Sequence, residues 1–134
     1  MSNYVTDTHA LLWHLSEDPA LSAAAKDAFR LADAGSADIF IPSIVLAEVV
    51  YLAERQRVPA HQVDRIADLP RLPGSRYHSV ALDTEIIQAM RRIPREAVPD
   101  MPDRIIAATA LLLGVPLLTR DHRIARLDML QSLW

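Results

Sequence analysis

Apolar positions along the chain come in two alternating forms. Some are short continuous runs bounded by turn residues, as in "DIFIPS" and "VPLLTRD". Others are longer and helix-forming, as in "SAAAKDAFRLADAG" and "DRIIAATALLLG". The first form predicts strands buried on both faces, and the second predicts helices packed against them. Residues 3–7 predict a strand and residues 8–17 a short helix stopped by Asp18-Pro19. Residues 21–35 predict a helix with Ser22 as its cap and Gly35 as its stop. A strand follows over 38–43, then a helix over 43–57 with Ser43 as N-cap, and a helix over 59–70 opened by Pro59. Residues 77–83 predict a strand, 84–94 a helix stopped at Pro94, and 95–102 a Pro-rich loop. Residues 103–114 predict a helix closed by Gly114. The chain ends with a strand over 115–121, a helical turn or two over 122–127, and a last strand over 129–134. There is no internal repeat. Strands alternating with helices predict one α/β domain over 1–134, with a central, mostly parallel sheet of four or five short strands flanked by helices in three layers.

In such sheets ligands bind at the carboxyl ends of the strands. Asp7, straight after the first strand, and Asp121, after "PLLT", both fall at that edge. Glu48 is the strongest anomaly, because it is the only charge in "IVLAEVVYLA". Residues 44, 45, 48, 51 and 52 share one helix face and are otherwise apolar or aromatic. A lone buried carboxylate costs several kcal/mol unless it is paired, so Glu48 predicts either an ion pair with an Arg, a place at an open helix edge, or a functional role. Asp103 opens its helix and, taken alone, reads first as a cap. Asp100 reads as a solvated loop acid, and Asp7 and Asp121 each read equally as caps.

The set says more than its members. Acids that converge raise each other's pKa unless a cation lies between them. Mg²⁺ or Mn²⁺ suits an all-oxygen donor set. Carboxylates with such an ion form a site for phosphodiester hydrolysis. Thr119, two residues before Asp121, is placed to hold a water or a carboxylate through its hydroxyl; it reads equally as an ordinary strand residue. Arg120, Arg123 and Arg126 recur every third position and predict a basic stripe beside the acids, able to contact phosphates or simply solvated. The five histidines form no ligand pair and read as polar surface or interface residues. Trp13 and Trp134 read as core or interface anchors.

Composition narrows the chemistry. The chain has 134 residues, no Cys, and 51% hydrophobic but only 5% aromatic residues. The core is therefore aliphatic, and disulfides, thiolate metal sites and Cys nucleophiles are excluded. Lys26 is the only lysine, so a P-loop is excluded too. A net charge of −3 argues against nucleic-acid binding by bulk positive charge. The N-terminus lacks the pattern of a secretory signal and no apolar run spans a bilayer, so the expected location is the cytoplasm, with no membrane partner.

Three segments together, "DTHALLW", "IPSIVLAEVVYL" and "MPDRIIAATALLLGVPLLTRD", resemble the motifs of PIN-domain ribonucleases, and most of all the VapC-type toxins of bacterial toxin–antitoxin pairs. The resemblance covers almost the whole chain in the right order. It implies a PIN fold and a Mg²⁺- or Mn²⁺-dependent endoribonuclease acting on RNA. By position, the metal-binding and catalytic acids are then Asp7, Glu48, Asp103 and, as the fourth, Asp121. It also implies a homodimer and a cognate antitoxin that covers the site, with DNA bound only through that antitoxin. One departure is Ile124, where the family often has an aromatic residue. Two other readings remain: a non-catalytic PIN-like RNA-binding or scaffold module, and a receiver-like signalling domain. The second is disfavoured because the phosphorylation chemistry wants an acid pair after the first strand and a late lysine.

Overall fold

The computed structural model describes residues 1–134, all of the chain. Its strands are β1 (Ser2–Thr6), β2 (Ala37–Pro42), β3 (Tyr77–Val80), β4 (Leu117–Leu118) and β5 (Ser132–Leu133). Its helices are α1 (Thr8–Leu15), α2 (Ala23–Asp33), α3 (Ser43–Glu54), α4 (His61–Asp68), α5 (Thr84–Ala89), α6 (Met101–Leu113) and α7 (His122–Ala125). The five strands form one sheet in the order β3-β2-β1-β4-β5, and every pairing is parallel. The expected α/β architecture is present, and the sheet is parallel throughout.

The continuous apolar runs explain why. Val5, Ile39, Leu117 and Leu118 are completely buried, so the central strands need cover on both faces. Helices supply it. Phe29 of α2, Leu11 of α1, Val45 and Val49 of α3 and Ile106 of α6 are also fully buried. In α6 the six residues Ile105 to Ala110 are all buried. A helix buried over a whole turn and a half cannot be amphipathic, and its alanines allow that enclosure without overpacking.

Strand order decides where a site can form. The chain runs outward from β1 through β2 to β3, then returns to the other side of β1 with β4. The reversal falls between β1 and β4, and such a switch point opens a crevice at the carboxyl ends of the two strands. Thr6 pairs with Leu118 in register, and the Asp7 N–H donates to the Leu118 carbonyl at 3.1 Å. The residues following both strands are thereby locked side by side.

Most element boundaries match the expected ones within two or three residues, with informative exceptions. Ser22 caps α2 as expected, accepting from the Ala25 N–H. Ser43 does not cap α3: β2 runs into the helix with no loop, Pro42 occupies the cap position, and Ser43 is already helical. Its hydroxyl instead accepts the Leu82 N–H at 3.1 Å, tying down the segment after β3. α4 begins at His61 rather than Pro59. α6 begins at Met101, with Asp100 at its cap position and Asp103 inside its first turn rather than at its start.

Gly114 ends α6 in the left-handed region with φ of 68°, and a Cβ added there would meet nothing within 4 Å. A substitution is then penalised by backbone conformation alone. Gly114→Ala should lower stability by about 1–2 kcal/mol, read as a lower urea midpoint with an unchanged m-value. Unchanged stability would mean that the αL cap is not held in solution.

Candidate active site

A cavity of about 430 Å³ opens at this edge, lined by Asp7, Thr8, His9, Trp13, Glu48, Asp100, Asp103, Arg120 and Asp121. The four acids singled out from the sequence all reach it, each from a different element. Asp7 follows β1 and caps α1, accepting the Ala10 N–H on Oδ1 at 2.8 Å. Asp121 follows β4 and caps α7, accepting the Arg123 N–H on Oδ1 at 2.8 Å. Capping and site chemistry are therefore not alternatives. Each cap uses one carboxylate oxygen and leaves the other available.

Glu48 stands one turn below the start of α3, half-buried, while the buried stripe of that helix runs through Val45 and Val49. The face expected to be uniformly buried is not, since Tyr51 is 67% exposed. No Arg pairs with Glu48. Its partner is the buried Thr8, whose Oγ1 donates to Glu48 Oε1 at 2.5 Å. None of the ion pairs in the structure involves a cavity acid.

The electrostatic consequence is uniform in direction. Burial pushes the Asp7 carboxyl up, against opposing hydrogen bonds from the Thr119 hydroxyl and the Ala10 N–H. Burial also pushes up Glu48, opposed by Thr8 and reinforced by the Asp100 charge. Asp103 rises from 3.8 to about 7, first from burial and then from Asp100, Asp121, Glu48 and Asp7. These groups are carboxylates held near one another with no ion-pair partner among them, although Arg120 and His9 border the same cavity. No three of the His, Asp and Glu side chains are grouped closely enough to grip an ion as they stand. The space between them suits a hard ion that keeps several waters and takes few protein ligands.

Thr119 is buried and acts on both strand-end acids. Its hydroxyl favours the charged form of Asp7 against the effect of burial, and its Oγ1 accepts the Asp121 N–H at 3.1 Å. The arginines do not form the expected stripe. α7 is only four residues long and Arg120 lies outside it. Arg120 lines the cavity with its guanidinium 4.7 Å above the Trp13 ring, whereas Arg123 and Arg126 are exposed and border no part of it. Arg104 makes no ion pair; its Nε donates to the Ile93 carbonyl at 2.9 Å, pinning the start of α6 to the loop before it.

Four lining residues were not anticipated, Thr8, His9, Trp13 and Asp100. Asp100 is exposed, yet it borders the cavity and raises both Glu48 and Asp103. His9 and Trp13 lie four residues apart on α1, with rings 5.6 Å apart. Their spacing from Asp7 was the available signal: positions two and six after a strand-end acid share the helix face that starts at the crevice. Trp13 is half-buried and meets Trp134 at 5.7 Å. His14 departs from its expected surface role, stacking flat on Phe29 at 4.4 Å and bonding Asp33 at 3.0 Å.

The Asp103 shift fixes a sign. A carboxyl whose folded pKa exceeds its unfolded value binds its proton more tightly when folded, so stability falls as pH rises between those values. For Asp103 that window runs from 3.8 to about 7. In EDTA, Asp103→Asn should match the parent protein near pH 4 and become progressively more stable than it up to pH 8. A difference independent of pH in urea melts would show that Asp103 is not under this repulsion.

The sequence matches the PIN domain family over residues 4–130. It is 27% identical over 124 residues to the ribonuclease VapC22 of Mycobacterium tuberculosis, covering 92% of this chain and 91% of that protein. The fold is shared with VapBC2 from Rickettsia felis bound to a promoter DNA fragment, at 20% identity and a TM-score of 0.70, with 98% and 97% of the two chains covered. It is shared likewise with DNA-bound VapBC from Salmonella typhimurium, at 21% identity and a TM-score of 0.68, with 99% and 98% covered. No helix is long and apolar enough to cross a membrane. From its whole-length match, its parallel sheet and its acid-lined switch point, this chain belongs to the PIN domain family.

Proposed function

We propose that this chain is an endoribonuclease that hydrolyses RNA phosphodiester bonds with Mg²⁺ or Mn²⁺, and that it is the toxin of a toxin–antitoxin pair. The observation carrying the proposal is the convergence of Asp7, Glu48, Asp103 and Asp121 on one cavity with no salt-bridge partner. An enzyme fold gains nothing in stability from such repulsion. A divalent cation removes it, and the donors present are the hard oxygens that Mg²⁺ and Mn²⁺ prefer. When bound, such an ion supplies Lewis acidity to the phosphate and to an attacking water and offsets charge on the leaving oxygen.

The chain's own groups do the rest. The caps of α1 and α7 engage only Oδ1 of Asp7 and of Asp121, so Oδ2 of each is not used in capping. Thr119 holds the backbone of Asp121 and favours the charged form of Asp7, so it acts on both strand-end acids. Thr8 orients Glu48 from the opposite wall. Asp103, its pKa raised to about 7 by burial and by the neighbouring acids, is an acid whose charge a nearby cation would favour. Arg120 is the one cation bordering the cavity and is placed to meet a backbone phosphate.

The similarity to a ribonuclease supports RNA as the substrate, and the VapBC complexes among the shared folds support a small antitoxin as partner. DNA contact in such a pair would belong to the antitoxin, consistent with a net charge of −3. A homodimer is part of the same reading, and light scattering of the purified chain tests it.

Two substitutions at one position separate cap from chemistry. Asn caps a helix about as well as Asp but carries no charge. Asp7→Asn should therefore keep stability while cutting RNA at least about a hundredfold more slowly, whereas Asp7→Ala should lose both activity and about 1 kcal/mol. Cleavage of a labelled RNA by the parent should require Mg²⁺ or Mn²⁺ and stop in EDTA. Parent-level cleavage by Asp7→Asn would sink the assignment. Thr119→Val should weaken divalent-ion binding about tenfold or more in calorimetry; unchanged affinity would reduce Thr119 to a strand residue.

A further inference from the structure

A second cavity, about 390 Å³, lies on the other side of Trp13. It shares His9 and Trp13 with the acid-lined cavity, so the two are contiguous through these side chains. Its apolar wall comes from Leu12, Leu52, Val58 and Pro59, and its polar wall from Ser16, Asp18, Arg57 and Gln62. Gln62 is the unusual member. It is only 5% exposed, and its Oε1 is buried with no hydrogen-bond partner. A buried amide oxygen left unpaired costs about 1–3 kcal/mol, and an amide held by no hydrogen bond can turn into the cavity it lines to meet a ligand's N–H donor.

We propose that this cavity is a nucleobase subsite, holding a base of the RNA strand next to the scissile phosphate. The inference rests on the ribonuclease reading and extends it. Four features point to a base rather than to a peptide side chain. The Trp13 ring, with Leu12 and Leu52 in the same lining, offers a face on which a π-system can stack. An amide can pair with a base edge that sets a donor beside an acceptor. Arg57 at this cavity and Arg120 over Trp13 flank the path with positive charge, as a phosphate backbone requires. Finally, the shared wall puts the subsite beside the acids, so one strand reaches both. Trp13 is the partition, held in place by Trp134 and Arg120.

The test combines cutting with binding. On a randomised RNA pool, the parent should favour one base at a fixed position beside the cut. Gln62→Leu, which keeps the shape and removes the amide, should flatten that preference by about tenfold while still cutting. Separately, non-cleavable 2′-O-methyl tetramers of A, C, G and U should quench tryptophan fluorescence in EDTA with unequal affinities, and Gln62→Leu should equalise them. Trp13→Phe should retain part of the binding and Trp13→Ala should lose it. Persistence of the base preference in Gln62→Leu overturns the subsite and leaves the ribonuclease reading intact. Failure of the parent to cut any RNA refutes the ribonuclease reading, and equal binding of all tetramers by parent and variant refutes the subsite by itself. If Gln62→Leu weakens binding of a co-expressed antitoxin and leaves tetramer binding unchanged, the cavity belongs to a protein partner and the proposal falls.

Discussion

Carboxylates held together against their own repulsion are the feature around which this molecule is organised. Asp7, Glu48, Asp103 and Asp121 come from four separate elements, and nothing local keeps them close. The sheet does so. Parallel pairing of β1 with β4 joins the segments carrying Asp7 and Asp121 through a backbone hydrogen bond. The buried stretch of α6 holds Asp103 in its first turn over the same edge. Leu117, Leu118, Ile106 and Val5 are completely inaccessible, and their burial supplies the free energy that offsets the clustered charge.

Small polar groups convert that cluster into an oriented one. Thr8 and Thr119 are among the few buried polar residues, and both point at acids of the site. Each hydroxyl bonds a carboxylate while leaving its charge in place, which an arginine would not. The helix caps work in the same sense, because a capped carboxylate has one oxygen fixed and one free. Stability and orientation are thus served by the same hydrogen bonds at Asp7 and Asp121.

Trp13 gives the site a second dimension. Its ring borders both the acid-lined cavity and the mixed one beside it, and it is braced by Arg120 and Trp134. Trp134 is the last residue, next to the short edge strand β5, so the end of the chain is tied to the wall of the site. The cation–π contact also explains why Arg120, exposed as it is, is oriented rather than free.

The sequence by itself determined the element order, a mostly parallel sheet and the four acids that reach the cavity. Continuous apolar runs allow burial on both faces and little else, and a charge such as Glu48 in an apolar helix has few structural uses. Ser22 and Gly114 were legible for the same reason, since their roles depend on a few neighbouring residues. What only the tertiary structure decided depends on segments far apart in the chain. Ser43 lost its cap to the loopless junction after β2 and bonded Leu82 instead. Asp100, read as solvated, joined the acids because α6 starts two residues earlier than its apolar pattern. The arginine stripe dissolved because α7 is a single turn, and Gln62 came to share a cavity with Trp13 only when α4 packed on α3 and Arg65 bonded the Leu15 carbonyl of α1. Periodicity reports which face a residue prefers. Which residues share a cavity is set by strand order and helix packing, and those are properties of the assembled core.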